Sequence, residues 1–199
     1  MSESAVNVPV TAEAGADPAV AALAKRYTDA VAPVANRIVG HLDAPAPSSN
    51  TNDESAAADL IADATLAATS SAENGSAQLA LVNASGVRVG LPAGDITYGL
   101  AFKMMPFGNN LLVMTLTGAQ LKAVIEQQFS SAAAKRAVLA PSATFTYAVD
   151  LSKPEGQRVS DMRLNGAPID PAKDYRVAVN NYLASGGDNL TAFTAGTNI

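Results

Sequence analysis

Between Gln78 and Asn83 the chain reads Leu-Ala-Leu-Val without a polar break, the pattern of a strand buried on both faces. Such a strand needs other elements above and below it, and the neighbouring sequence supplies them. Ala57, Leu60, Ile61, Ala64 and Ala67 recur at helical spacing just upstream. Downstream, Asn110 to Leu116 reads as a second strand, and Thr117 follows as the cap of a helix carrying Leu121, Val124, Ile125 and Gln128. Thr144 to Val149, Arg158 to Leu164 and Tyr175 to Val179 are further strands, and Asn165-Gly166 is a hairpin turn signal. Helices and strands mixed with hairpins imply an α+β or layered α/β arrangement around a mixed sheet.

The segment before this pattern has a different character. Asp17-Pro18 is a cap followed by proline at the first helical position, and Val20, Leu23, Ala24, Tyr27, Val31 and Val34 form one apolar stripe. A helix is therefore predicted to about Asn36, despite Pro33. Asp43 to Asn52 is rich in Pro, Ser, Ala and Asn and reads as a linker. The expected organisation is an extension, helix and linker over residues 1–51 and one globular domain over 52–199.

Charge and cysteine content narrow the function. Across 199 residues the formal net charge is −5, which argues against a nucleic-acid polymer as partner, because phosphate backbones are met by a basic face. Small anions remain open, since one or two arginines suffice for them. Cysteine is absent, which excludes disulfides and thiolate metal sites. No apolar run is long enough for a membrane span, and no secretory signal opens the chain, although a longer precursor could carry one.

Two loops have the make-up of a ligand grip. Tyr182-Leu-Ala-Ser-Gly186-Gly187-Asp188 sets a ring and an acid around two glycines, whose backbone lets a ligand approach closely. Far upstream, Pro106-Phe107-Gly108-Asn109 offers a second ring and an amide. Taken alone, both rings read more readily as core residues.

These segments, with Asn83-Ala-Ser-Gly86-Val-Arg88, Gly94-Asp95-Ile96-Thr97-Tyr98 and Leu116-Thr117-Gly118-Ala119-Gln120-Leu121, occur in the order found in the C-terminal domain of the 5′-nucleotidase family. That family includes UDP-sugar hydrolases and 2′,3′-cyclic nucleotide phosphodiesterases, and the resemblance runs from about Asn52 to the end. It implies a layered α/β/β/α domain with two mixed sheets between helices. It also implies that this domain holds the nucleoside while a separate N-terminal metallophosphoesterase domain, absent here, carries two divalent metals and the catalytic residues. By the same resemblance Phe107 and Tyr182 sandwich the base, Asn109 bonds its edge, Asp188 accepts from the ribose hydroxyls, and Asn83 and Arg88 face the phosphate. No catalytic residue, metal ligand or cofactor is then expected in this chain, and an extracellular or cell-envelope location is. Its expected partners are a nucleotide or nucleoside, the N-terminal domain and, in an alternative reading as a non-catalytic interaction module, a second copy.

The chain departs from the family pattern in three places. It lacks an arginine shortly before the helix that starts near Glu54, two glycines in the Asn83 to Gly86 turn, and the phenylalanine common at Tyr182. The remaining polar residues have structural readings. His41 is a solvated or packing residue beside the linker. Asp53, Glu54, Asp59 and Asp63 make a solvated helix face, and Arg158 and Arg163 a solvated strand face. Asp95 and Thr97 shape a turn and cap a short helix, and Met104-Met105 fill the core.

Overall fold

The computed structural model describes residues 5–11, 14–48, 54–130 and 138–199. Helix α1 spans Pro18–Ala35, with Asp17 accepting from the backbone N–H groups of Ala19 and Val20. Its apolar stripe stays exposed, with Val20, Leu23, Tyr27, Val31 and Val34 each more than half accessible, and α1 meets the fold near its C-terminal end, where Ala35 lies close to Gly99. There the Tyr98 N–H donates to the Arg37 carbonyl at 2.8 Å, and the Arg37 guanidinium lies 5.8 Å from the Tyr98 ring centroid.

Strand β1 (Ile38–Leu42) follows and pairs antiparallel with β3 (Gly94–Thr97). Ala46 is buried and exchanges both backbone hydrogen bonds with Leu91, at 2.9 and 2.8 Å. Residues 38–42 and Ala46 are thus paired through the backbone with residues that follow, although only Ala46 among them is buried. Loop-like composition is blind to such pairing, which depends on a partner some fifty residues away. Residues 49–52 of the expected linker lie outside the described residues.

The central sheet has the strand order β4-β9-β2-β5, formed by β4 (Leu111–Thr117), β9 (Asp174–Asn180), β2 (Leu79–Asn83) and β5 (Leu139–Pro141). It is mixed: β2 and β9 are parallel, while β4–β9 and β2–β5 are antiparallel. A second, antiparallel sheet is built from β6 (Phe145–Val149), β7 (Val159–Leu164) and β8 (Ala167–Pro168). The β7–β8 turn is Asn165-Gly166, both at positive φ (50° and 78°), as the sequence signal requires.

Period-two alternation sorts the central sheet into two faces. On one, Leu79, Leu81, Met114, Leu116, Val177 and Val179 meet helix α4 (Gly118–Gln127) and Phe145, Val159 and Met162 of the second sheet. On the other, the small residues Ala80, Val113 and Ala178 accommodate helix α2 (Ala56–Thr69). Strand β2 is buried along its whole length, as its unbroken apolar run requires. Helix α4 opens with a capping box, in which Thr117 Oγ1 accepts from the Gln120 N–H and Gln120 Oε1 from the Thr117 N–H. The fold is therefore α+β and layered.

Two arginines, one just before β7 and one within it, have different surroundings. Arg163 is partly exposed and donates to Asp161 at 2.8 Å. Arg158, expected on a solvated face, is instead half-buried and donates to the carbonyls of Phe129 and Lys153, which satisfy its guanidinium there.

Candidate functional site

Strand directions bring the two loops together. Because β4 and β9 run antiparallel with Leu111 opposite Asn180, the start of β4 lies beside the end of β9. The Asn181 N–H donates to the Asn110 carbonyl at 3.0 Å, and the Asn110 N–H donates to Asn181 Oδ1 at 3.0 Å. The Phe107 loop thus leaves the sheet next to helix α5 (Asn181–Ala184), which carries Tyr182. Strand β2 is parallel to β9, so Asn83 emerges at the same end.

Both rings are accessible, with Phe107 48% and Tyr182 41% exposed, so neither is a core residue. The Tyr182 ring lies over Gly187, where a Cβ would stand 2.5 Å from a ring carbon; only glycine permits this approach. Gly186 (φ 87°), Asp188 (φ 54°) and Asn189 (φ 62°) all take left-handed conformations, which turn the chain back toward the ring.

A line of polar side chains joins three of the six expected residues. Asn180, which caps α5 by accepting from the Leu183 N–H at 2.8 Å, donates from Nδ2 to Asn83 Oδ1 at 3.0 Å. Asn83 Nδ2 donates to Ser85 Oγ at 3.1 Å, and Ser85 donates to Asp188 Oδ2 at 2.8 Å. From the other side the Tyr182 hydroxyl donates to Asp188 Oδ1 at 2.8 Å and accepts from the Asp188 N–H at 3.0 Å. The hydrogen bond to the Asp188 carboxylate is the chief cause that pushes the Tyr182 hydroxyl pKa above its ordinary value of 10.0. Asn83, Tyr182 and Asp188 are therefore connected.

Arg88 is exposed on the same turn and donates to the Ser85 carbonyl at 3.3 Å. Phe107 and Asn109 stand apart from the polar line. They line a cavity of about 580 Å³ that also touches His41, Leu60, Met104 and Asn180. Ser85 and Asn180 are members of the line that sequence reasoning missed. Asn180 carried a signal, a polar residue ending an apolar run where a helix cap is needed. Ser85 carried none beyond its place in the turn.

The other polar residues do not join this group. His41 Nδ1 donates to Asp95 Oδ1 at 2.8 Å across the β1–β3 pair. Asp95 is thus a strand residue with a cross-strand partner rather than a turn former, because its neighbour in register is supplied by β1. Thr97 caps helix α3 (Tyr98–Met104), as its position suggests. On α2, burial raises the Asp59 carboxyl pKa, with added repulsion from Glu54 and Asp63, and Asp63 accepts from the Ala143 N–H at 2.7 Å. Asp53 lies outside the described residues. Among the described residues, no three His, Cys, Asp or Glu side chains converge on a point where a metal could sit, and no helix is long and apolar enough to cross a membrane.

Comparison with known proteins identifies the family. A family model described as "5′-nucleotidase, C-terminal domain" matches residues 38–195. The chain belongs to the 5′-nucleotidase C-terminal domain family. It is 37% identical over 140 residues to the trifunctional nucleotide phosphoesterase protein YfkN of Bacillus subtilis, covering 68% of this chain and 9% of that protein. It is 34% identical over 113 residues to the protein UshA of Escherichia coli, covering 56% of this chain and 19% of UshA. Among solved structures, a 5′-nucleotidase precursor from Thermus thermophilus superposes with a TM-score of 0.78 at 32% identity, over 93% of this chain and 38% of that one. The NAD nucleotidase of Haemophilus influenzae does so with a TM-score of 0.69 at 26% identity, over 90% of this chain and 34% of that one. The chain thus spans well under half the length of these relatives.

Proposed function

We propose that this chain is the nucleoside-recognition domain of a 5′-nucleotidase-type metallophosphoesterase, with the base stacked between Phe107 and Tyr182. The observation that carries the reading is the pairing of Asn110 with Asn181, which sets two half-exposed rings from distant parts of the chain at one end of the same strand pair. Stacking on aromatic rings contributes about 1–3 kcal/mol per base and tolerates any base. In this reading Asn109 bonds the base edge, Asp188 accepts from ribose hydroxyls, and Asn83 and Arg88 face the phosphate. Arg88 suits the last role, since its guanidinium is exposed and, among the described residues, makes one long hydrogen bond, to a carbonyl.

Catalysis belongs, in the same reading, to two divalent metals held by the N-terminal domain of the whole protein. This domain delivers the substrate to them by rotating as a body about α1. Phosphate ester hydrolysis, nucleotide catabolism outside the cytoplasm and an extracellular or cell-envelope location follow for the parent. The chain alone binds weakly and hydrolyses nothing. Calorimetric titration with adenosine, guanosine, cytidine and uridine tests this. Millimolar or tighter binding that disappears in Phe107→Ala and Tyr182→Ala supports the reading, and binding indifferent to both changes defeats it.

One observation favours a second reading. Val20, Leu23, Tyr27, Val31 and Val34 leave an apolar stripe uncovered along α1, the kind of surface that marks an interaction site. An interaction module pairing two copies through α1 would dimerise with rising concentration, and sedimentation of the wild type against Leu23→Glu and Tyr27→Glu separates it from the first.

A further inference from the structure

We propose that Ser85 is the positioning residue for Asp188, and that Ser85 and the Tyr182 hydroxyl together confer selectivity for nucleosides with a free 2′,3′-diol. The inference rests on the nucleoside reading of this site, and its own basis is the direction of the hydrogen bonds. The Leu183 N–H can only donate, so the Asn180 group facing it is the carbonyl oxygen and its amide points to Asn83. Asn83 must then present its oxygen to Asn180 and its amide to Ser85. Ser85 Oγ, having accepted from Asn83, directs its single proton to Asp188. One backbone N–H thus sets the sense of the whole line, and Asn180 and Asn83 are buried where alternative partners are scarce.

Asp188 receives the line on Oδ2 and the Tyr182 hydroxyl on Oδ1. Its own N–H returns to the Tyr182 oxygen, which closes a ring of bonds around a residue already held at φ 54°. A carboxylate oxygen can accept two hydrogen bonds. With one taken on each, the carboxylate is fixed in orientation and keeps one free acceptor position per oxygen, an arrangement that suits two adjacent hydroxyl donors. Because the protein has already fixed the acceptor, a vicinal diol would find it without reorganisation. A sugar without the diol would leave both free positions to water.

The test compares, by calorimetry on this chain, the ribonucleoside that binds best among the four with its 2′,3′-dideoxy counterpart. Wild type, Ser85→Ala, Tyr182→Phe and Asp188→Ala are measured side by side. The expected result is that Ser85→Ala lowers the ribo-to-dideoxy affinity ratio about fivefold while its dideoxy affinity stays within about twofold, as for one hydrogen bond lost, and that Tyr182→Phe lowers the ratio by a similar factor. Asp188→Ala should bring the ratio close to one. An unchanged ratio in Ser85→Ala beside a collapsed ratio in Asp188→Ala overturns the role of Ser85 and leaves the nucleoside reading standing. Equal weakening of both ligands in Ser85→Ala makes it a merely structural residue and also overturns the proposal. If wild type binds none of the four, the nucleoside reading falls and this inference with it.

Discussion

Asn180 and Asn83, at the ends of two parallel strands, face each other with the amide of one donating to the carbonyl oxygen of the other at 3.0 Å, and both side chains are buried. Removing either member strands the other away from water, which costs more than the bond itself contributes. Asn180→Ala also deprives the Leu183 N–H of its acceptor. We expect this variant to lose about 2–3 kcal/mol in urea unfolding. A loss below about 0.5 kcal/mol would show the pair to be solvated in solution.

The Tyr182 hydroxyl should ionise above its ordinary value of 10.0, chiefly because ionisation breaks its hydrogen bond to a carboxylate. The folded pKa is raised, so the stabilisation is fully present below the ordinary tyrosine value and disappears as pH rises through the folded one. Ultraviolet titration should show a late phase that Tyr182→Phe removes and Asp188→Asn moves downward. Tyr147, raised mainly by burial, should keep its own late phase in both variants.

Gly187→Ala places a methyl 2.5 Å from the Tyr182 ring and must push the ring aside. The Tyr182–Asp188 bond should break, so the late titration of Tyr182 vanishes in this variant too. Global stability should fall by no more than about 1–2 kcal/mol, since the ring is exposed and contributes little to the core. Retention of the late phase would mean that the ring and glycine are not in contact.

At the start of α4, Thr117→Ala removes one half of the capping box. A loss of about 1 kcal/mol is expected in denaturant unfolding. Serine at the same position should restore most of it, and an unchanged midpoint would place the helix start elsewhere.

Strand and helix positions were legible in the sequence where a local rule applied. The unbroken apolar run of β2, the Thr117 cap and the Asn165-Gly166 turn each rest on residues within a few positions of one another. Features made by distant partners were not legible. Strand β1 depends on β3, Arg158 on the Phe129 carbonyl, and Asp95 on His41. The candidate site divides in the same way. Its rings, glycines and acid stand together in short motifs, whereas Ser85 becomes meaningful only when Asp188, more than a hundred positions away, is seen to receive its proton.

The attachment of α1 has a mechanical consequence. Eighteen helical residues extend roughly 27 Å from a junction where Ala35 lies close to Gly99 and the following Arg37 lies against Tyr98. At that length a rotation of about 10° at the contact moves the far end by about 5 Å, nearly one helical turn. The helix is therefore a lever pivoting at this junction, and Tyr98→Ala would loosen the pivot without shortening the arm.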